Sequence, residues 1–144
     1  MVDKRGQCRV RYPGYRVFDH AVSILRELYP DDLIRWKGGG RAQVDQAIAA
    51  ARWSFQFSKN KPCYSRKLAA AAALFYEIIM LHPLIDGNKR LATIMLWIFL
   101  KANRLPRPRN IADAALRVAV GEWSQEDVYK WLLRVYRAHR TRQK

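Results

Sequence analysis

Residues 74–100 read LFYEIIMLHPLIDGNKRLATIMLWIFL, and this stretch decides the fold. Two apolar runs flank a short polar insert, His82-Pro83-Leu84-Ile85-Asp86-Gly87-Asn88-Lys89-Arg90. Before the insert, Leu74, Phe75, Ile78 and Ile79 recur at helical spacing. After it, Leu91, Ile94, Met95, Ile98 and Phe99 do the same. Pro83 stops the first helix, because the residue before a proline is pushed out of the helical region. A new helix opens near Gly87 or Asn88 and runs to about Asn103. A polar cluster between two such helices cannot be buried without partners.

Upstream, an Ala-rich segment extends the first of these helices back to Ser65, which reads as its N-cap. Apolar residues surround most of its circumference, so it is expected to be the central buried helix. Further out, Tyr15 to Tyr29 carries the stripe Val17, Ala21, Ile24, Leu25 and Leu28, and Pro30 ends it. Asp31 to Arg41 mixes Leu33, Ile34 and Trp36 with three consecutive glycines, Gly38 to Gly40, which argue against a helix. That segment reads as a loop or short flap. A helix from about Arg41 to Phe55 follows, then a loop from Gln56 to Tyr64.

Downstream, Pro106 and Pro108 bracket a linker. Asn110 is placed to cap a fifth helix through Val120, and Gly121 stands where a helix C-terminus favours it. Ser124 to Asp127 has the form of a capping box, with Asp in place of the usual Glu. The last helix, to about His139, presents Val128, Leu132 and Val135, and Arg134, Arg137, Arg140, Arg142 and Lys144 suit its negative end. The expectation is one all-α domain over residues 1–144, an orthogonal bundle of about six helices with a small flap. Residues 1–14 read as an N-terminal extension and 137–144 as a basic tail.

The chain has 144 residues, half of them hydrophobic, with 27 Lys and Arg against 12 acids and a formal charge of +15. One core is expected, and global disorder is excluded. The positive field attracts nucleotides, nucleic acids and acidic proteins without choosing among them. Cys8 and Cys63 show no metal spacing and no disulfide framework, and read as two reduced thiols in a cytoplasmic protein. The first residues lack the apolar stretch of a signal peptide. No apolar run reaches the roughly 18 residues that span a bilayer, so no membrane association is expected.

The polar insert carries the chemistry. The first amides of a helix have no partner within it and, with the helix dipole, form an anion site. Gly87 allows close backbone approach. Lys89 and Arg90 sit at the helix end where cations are unfavourable, a conflict that a bound polyphosphate removes. Asp86 can hold a magnesium ion together with nucleotide oxygens. His82 has the chemistry of a general base.

With those residues in place, the insert resembles the signature of the Fic/Doc family, His-Pro-Phe-x-Asp/Glu-Gly-Asn-x-Arg. Every fixed position agrees except Leu84, where the family has Phe. Weaker similarity runs from about Phe18 to Tyr136 and includes Gly40-Arg41-Ala42 and Ala119-Val120-Gly121-Glu122. The Doc branch is the closer one, because AMP-transferring members carry Gly at the position of Lys89 and a second Arg at that of Thr93. The resemblance implies a toxin of a toxin–antitoxin pair that phosphorylates elongation factor Tu, with ATP as donor and Mg2+ as cofactor. His82 is implied as base, and Asp86 as metal ligand or as the group orienting the target hydroxyl. Gly87, Asn88, Lys89 and Arg90 are implied as the phosphate site. Leu33, Ile34, Arg35, Trp36, Lys37 and Gly38 are implied as a flap holding the target segment. No inhibitory helix motif is found in the chain, so inhibition is expected from a separate, acidic antitoxin. Two alternatives stand beside this reading. One is protein adenylylation by a Fic-type AMP transferase. The other is a basic nucleic-acid-binding helical module without catalysis, contacting RNA or the ribosome, which the surplus of aromatics supports and the absence of a recognition-helix motif or zinc spacing opposes.

Overall fold

The computed structural model describes residues 6–143. Met1 to Arg5, part of the expected N-terminal extension, and Lys144 of the basic tail lie outside the described residues. Six helices follow in order: α1 (Tyr15–Leu28), α2 (Gly40–Phe57), α3 (Cys63–Leu81), α4 (Asn88–Ala102), α5 (Ile111–Ala119) and α6 (Gln125–Arg142). Among the described residues the extended structure is a single antiparallel bridge, Trp36 to Leu84. The fold is all-α, as the periodicities require.

α3 is the axis of the molecule. It packs against α2, α4, α5 and α6, while α1 lies on α4. Ala70 to Ala73, Leu74 and Phe75 are all fully buried. Small side chains on successive positions let neighbours approach α3 from several sides at once. Phe75, Ile78 and Ile79 supply volume toward its C-terminal half, each worth about 1.5–3 kcal/mol of burial.

Several local expectations need correction. α1 buries Phe18, Ala21, Val22 and Leu25, whereas Val17 and Ile24 are only partly buried and Leu28 is exposed. Both sets have helical spacing, and the position of α4 selects the face that contains Phe18. Ser65 does not cap α3. The helix starts at Cys63 after Pro62, and the Ser65 hydroxyl is buried against that of Tyr129. Asn110 precedes α5 in the left-handed region, with no side-chain capping bond. The capping box of α6 is present: the Asp127 amide donates to Ser124 Oγ and the Ser124 amide donates to Asp127 Oδ2. α6 continues to Arg142, so most of the basic tail is helical. At the end of α5 the Glu122 amide donates to the Arg117 carbonyl and the Gly121 amide to that of Val118, a Schellman motif.

The cysteines overturn a sequence expectation. Cys8 and Cys63 form a disulfide, with Cα atoms 5.5 Å apart across a separation of 55 residues. The chain before α1 is folded back as a strap over the α3 N-terminus. Tyr12 packs on Phe99, and Asn103 receives the Arg11 amide at 2.8 Å and donates to the Arg11 carbonyl at 3.0 Å. A pairing brought about by tertiary packing leaves no spacing signature. The reading of free thiols in a reducing compartment loses its basis. Among the described residues no helix is long and apolar enough to cross a membrane.

Candidate active site

α3 ends at Leu81, and His82 turns the chain out of the helix in the left-handed region at φ 53°. That conformation is uncommon for a residue with a β-carbon and concentrates at functional sites. The His82 ring is exposed, with Nδ1 3.3 Å from the Met80 carbonyl. A proton on Nδ1 donated to that carbonyl leaves Nε2 as the open acceptor.

The loop is then pinned from two sides. Leu84 is fully buried, so the smaller side chain still anchors the loop in the core. The Leu84 amide donates to Asn88 Oδ1 at 2.8 Å, and Asn88 Nδ2 donates to the Leu84 carbonyl at 2.9 Å. The Asn88 side chain is therefore committed to the loop itself. From the flap side, the Ile85 amide donates to the Arg35 carbonyl and the Lys37 amide to the Pro83 carbonyl, each at 2.9 Å. Arg26 of α1 donates to the Ile34 carbonyl at 2.7 Å, which fixes the flap below.

Two glycines are required by this arrangement. A β-carbon on Gly40 would run into the Pro83 carbonyl oxygen. Gly87 has φ +88° and lies against the buried Ile34 side chain. Gly87 is also the residue from which α4 starts, so the unpaired amides of Asn88, Lys89 and Arg90 open beside it.

His82, Ile85, Asp86, Gly87, Asn88, Lys89 and Arg90 line a cleft of about 450 Å³, closed by Ile79, Asp32 and Ala119. The structure brings the expected catalytic and phosphate-site residues to one cavity, with Asn88 entering through its backbone. Asp86 is exposed, and one carboxylate oxygen accepts the Gly87 amide at 2.8 Å. Arg90 donates to Asp32 at 2.7 Å and lies 3.7 Å from the Tyr29 ring centroid. The Asp32 bond holds the Arg90 guanidinium above its ordinary pKa. Among the described residues the Lys89 ammonium has no carboxylate partner.

The six flap residues separate by environment. Ile34 is buried and Trp36 half-buried, while Leu33, Arg35, Lys37 and Gly38 face outward. Asp32, Tyr29 and Ala119 were not anticipated. Asp31-Asp32, an acidic pair after Pro30 in a strongly basic chain, was the available signal for the first of them.

A family model described as the Fic/DOC family matches residues 6–100, about two thirds of the chain. The chain belongs to the Fic/DOC family. The match spans the flap, the polar loop and most of α4, and ends before α5, so Ala119-Val120-Gly121-Glu122 lies outside it. No curated protein and no solved structure matches the chain. Membership of the Fic/DOC family makes the protein a Fic-type transferase.

The metal fit can be tested on the donors present. No group of three or more His, Cys, Asp or Glu able to hold a metal occurs among the described residues. Magnesium in nucleotide sites needs no such cage, only one or two carboxylates with water and phosphate oxygens. The second carboxylate oxygen of Asp86 takes no protein hydrogen bond among the described residues, and Asp86 lines the cleft, so the donor set fits.

Proposed function

We propose that the protein is a Doc-like kinase that moves the γ-phosphoryl group of ATP to a protein hydroxyl. The observation that carries this reading is the convergence of His82, Asp86, Lys89 and Arg90 on one cleft at the start of α4. The nucleotide polyphosphate lies against the first α4 amides and the Lys89 and Arg90 cations. Nε2 of His82 takes the proton of the attacking hydroxyl. The hydroxyl oxygen bonds to the γ-phosphorus as the bond to the bridging oxygen breaks, and ADP leaves. Asp86 would hold Mg2+, which when bound neutralises charge on the phosphates. Phosphoryl transfer depends mainly on positioning and charge stabilisation, so this small set of groups suffices.

Thr93 favours phosphoryl over AMP transfer. Its hydroxyl donates to the Lys89 carbonyl at 2.8 Å within α4, so no second cation enters the cleft from the position where AMP-transferring relatives carry Arg. The Lys89 side chain also fills space that glycine would leave open. The proposed target is elongation factor Tu, presented along the flap at Leu33 to Gly38. The proposed regulator is a separate acidic antitoxin, and the proposed location is that of the target, the cytoplasm, where the Cys8–Cys63 bond has to withstand reducing conditions.

ATP labelled at either the α or the γ position, incubated with the protein and a translation extract, separates the two chemistries. Label from the γ position alone, lost in His82→Ala, is expected. Label arriving only from the α position replaces kinase by AMP transferase.

A further inference from the structure

α3 carries His82 at one end, and Arg66 and Lys67 near the other. At about 1.5 Å per helical residue the two ends lie ~20 Å apart. The far end has its own chemistry, which the transferase reading does not use.

Lys67 is only 8% exposed. Burial lowers its pKa, and Arg104 and Arg11 act in the same direction. No hydrogen bond or ion pair joins its ammonium to a carboxylate among the described residues. Its stem is covered while its ammonium reaches solvent, since Gln43 Oε1 is the one enclosed side-chain polar atom without a partner among the described residues. Lys67, Arg11 and Arg104 make a positive patch with no carboxylate bonded to it among the described residues, and such a patch attracts an anion from outside.

The positive ground continues along the strap. Arg52 lies 4.8 Å from the Tyr12 ring centroid, and Arg66 lies 4.0 Å from that of Phe55. Burial raises the Tyr12 phenol, against the pull of both arginines. Beyond Arg52, Trp53 and Phe57 form an exposed pair with centroids 5.1 Å apart, 65% and 75% exposed. Phe57 also borders a cleft of about 420 Å³ lined with Lys61, Tyr129 and Glu126. The Lys61 ammonium sits 4.7 Å from the Tyr129 ring centroid.

We propose that this end of the molecule binds single-stranded nucleic acid, with Lys67 and its surrounding arginines holding the phosphodiester backbone and Trp53 and Phe57 stacking on unpaired bases. Cations alone would serve an acidic peptide equally well. The exposed aromatic pair, which follows Arg52 on α2, is what selects unpaired bases, since every base offers a π face for stacking. The site is independent of the transferase cleft.

The test measures binding of labelled oligouridylate, oligothymidylate, a duplex of equal length and a poly-glutamate peptide by fluorescence anisotropy at two salt concentrations. Either single strand is expected to bind more tightly than the duplex and the peptide. With about four phosphates held, a fourfold rise in salt weakens binding roughly 50-fold. Trp53→Ala, at an exposed position that leaves the core intact, lowers affinity on the order of tenfold, and Arg104→Asn lowers it independently. His82→Ala binds the oligonucleotides like the parent, and Trp53→Ala keeps full transfer activity. Failure to bind any oligonucleotide at low salt overturns the proposal. So does poly-glutamate binding as tightly as the single strands, or unchanged affinity in Trp53→Ala.

Discussion

The two ends of α4 use the same device for different purposes. At the N-terminal end, Asn88 grips both backbone groups of Leu84. At the C-terminal end, Asn103 grips both backbone groups of Arg11 and also donates to the Phe99 carbonyl at 2.9 Å. Both side chains are nearly enclosed, at 8% and 2% exposure. The first clasp spans four residues and shapes the loop of the candidate cleft. The second spans 92 residues and ties the strap to the body. One buried amide thus positions chemistry, and the other closes the fold.

That contrast can be tested most strongly at the strap. Replacing Cys8 and Cys63 together by Ser, or reducing the protein, is expected to lower stability by about 2–4 kcal/mol, because the bridge closes a long loop. Transfer activity should survive at temperatures where the protein stays folded. A urea midpoint unmoved by reductant would mean that the strap holds without its covalent tie.

The clasps themselves come next. Asn88→Ala and Asn103→Ala each leave backbone groups buried without partners, at a cost of about 2–4 kcal/mol in either case. Their functional effects should part. Loss of loop positioning in Asn88→Ala is expected to reduce transfer about a hundredfold, whereas Asn103→Ala transfers like the parent once allowance is made for unfolding. Equal losses of activity in the two variants would remove the distinction between the ends.

The smallest effect concerns Asp32. A phosphate entering the cleft meets an Arg90 already paired with a carboxylate. Asp32→Asn should tighten nucleotide binding by up to about fivefold, the range of an exposed ion pair, as read by titration calorimetry. Weaker binding would instead make Asp32 a group that orients Arg90 for the phosphates.

The same contrast explains what the sequence could disclose. The loop from His82 to Arg90 was legible because its parts are neighbours in the chain: Pro83 ends α3, Gly87 begins α4, and the polar residues between them share one cavity. The helices were legible from spacing, but the inward face of α1 was not, because Phe18 and Val17 belong to two equally regular stripes and only α4 decides between them. Asp32, Ala119 and Cys8 escaped for a related reason. Each acquires its role by meeting a residue distant in sequence, and composition does not record such meetings.

The bonds from Ile85 to Arg35 and from Lys37 to Pro83 make the flap and the polar loop two rails of one ribbon. On the proposed reading, exchanging residues 33–38 alone to redirect the enzyme would derail the loop that carries His82 and Asp86. Successful retargeting, in the laboratory or over evolutionary time, has to exchange both rails together.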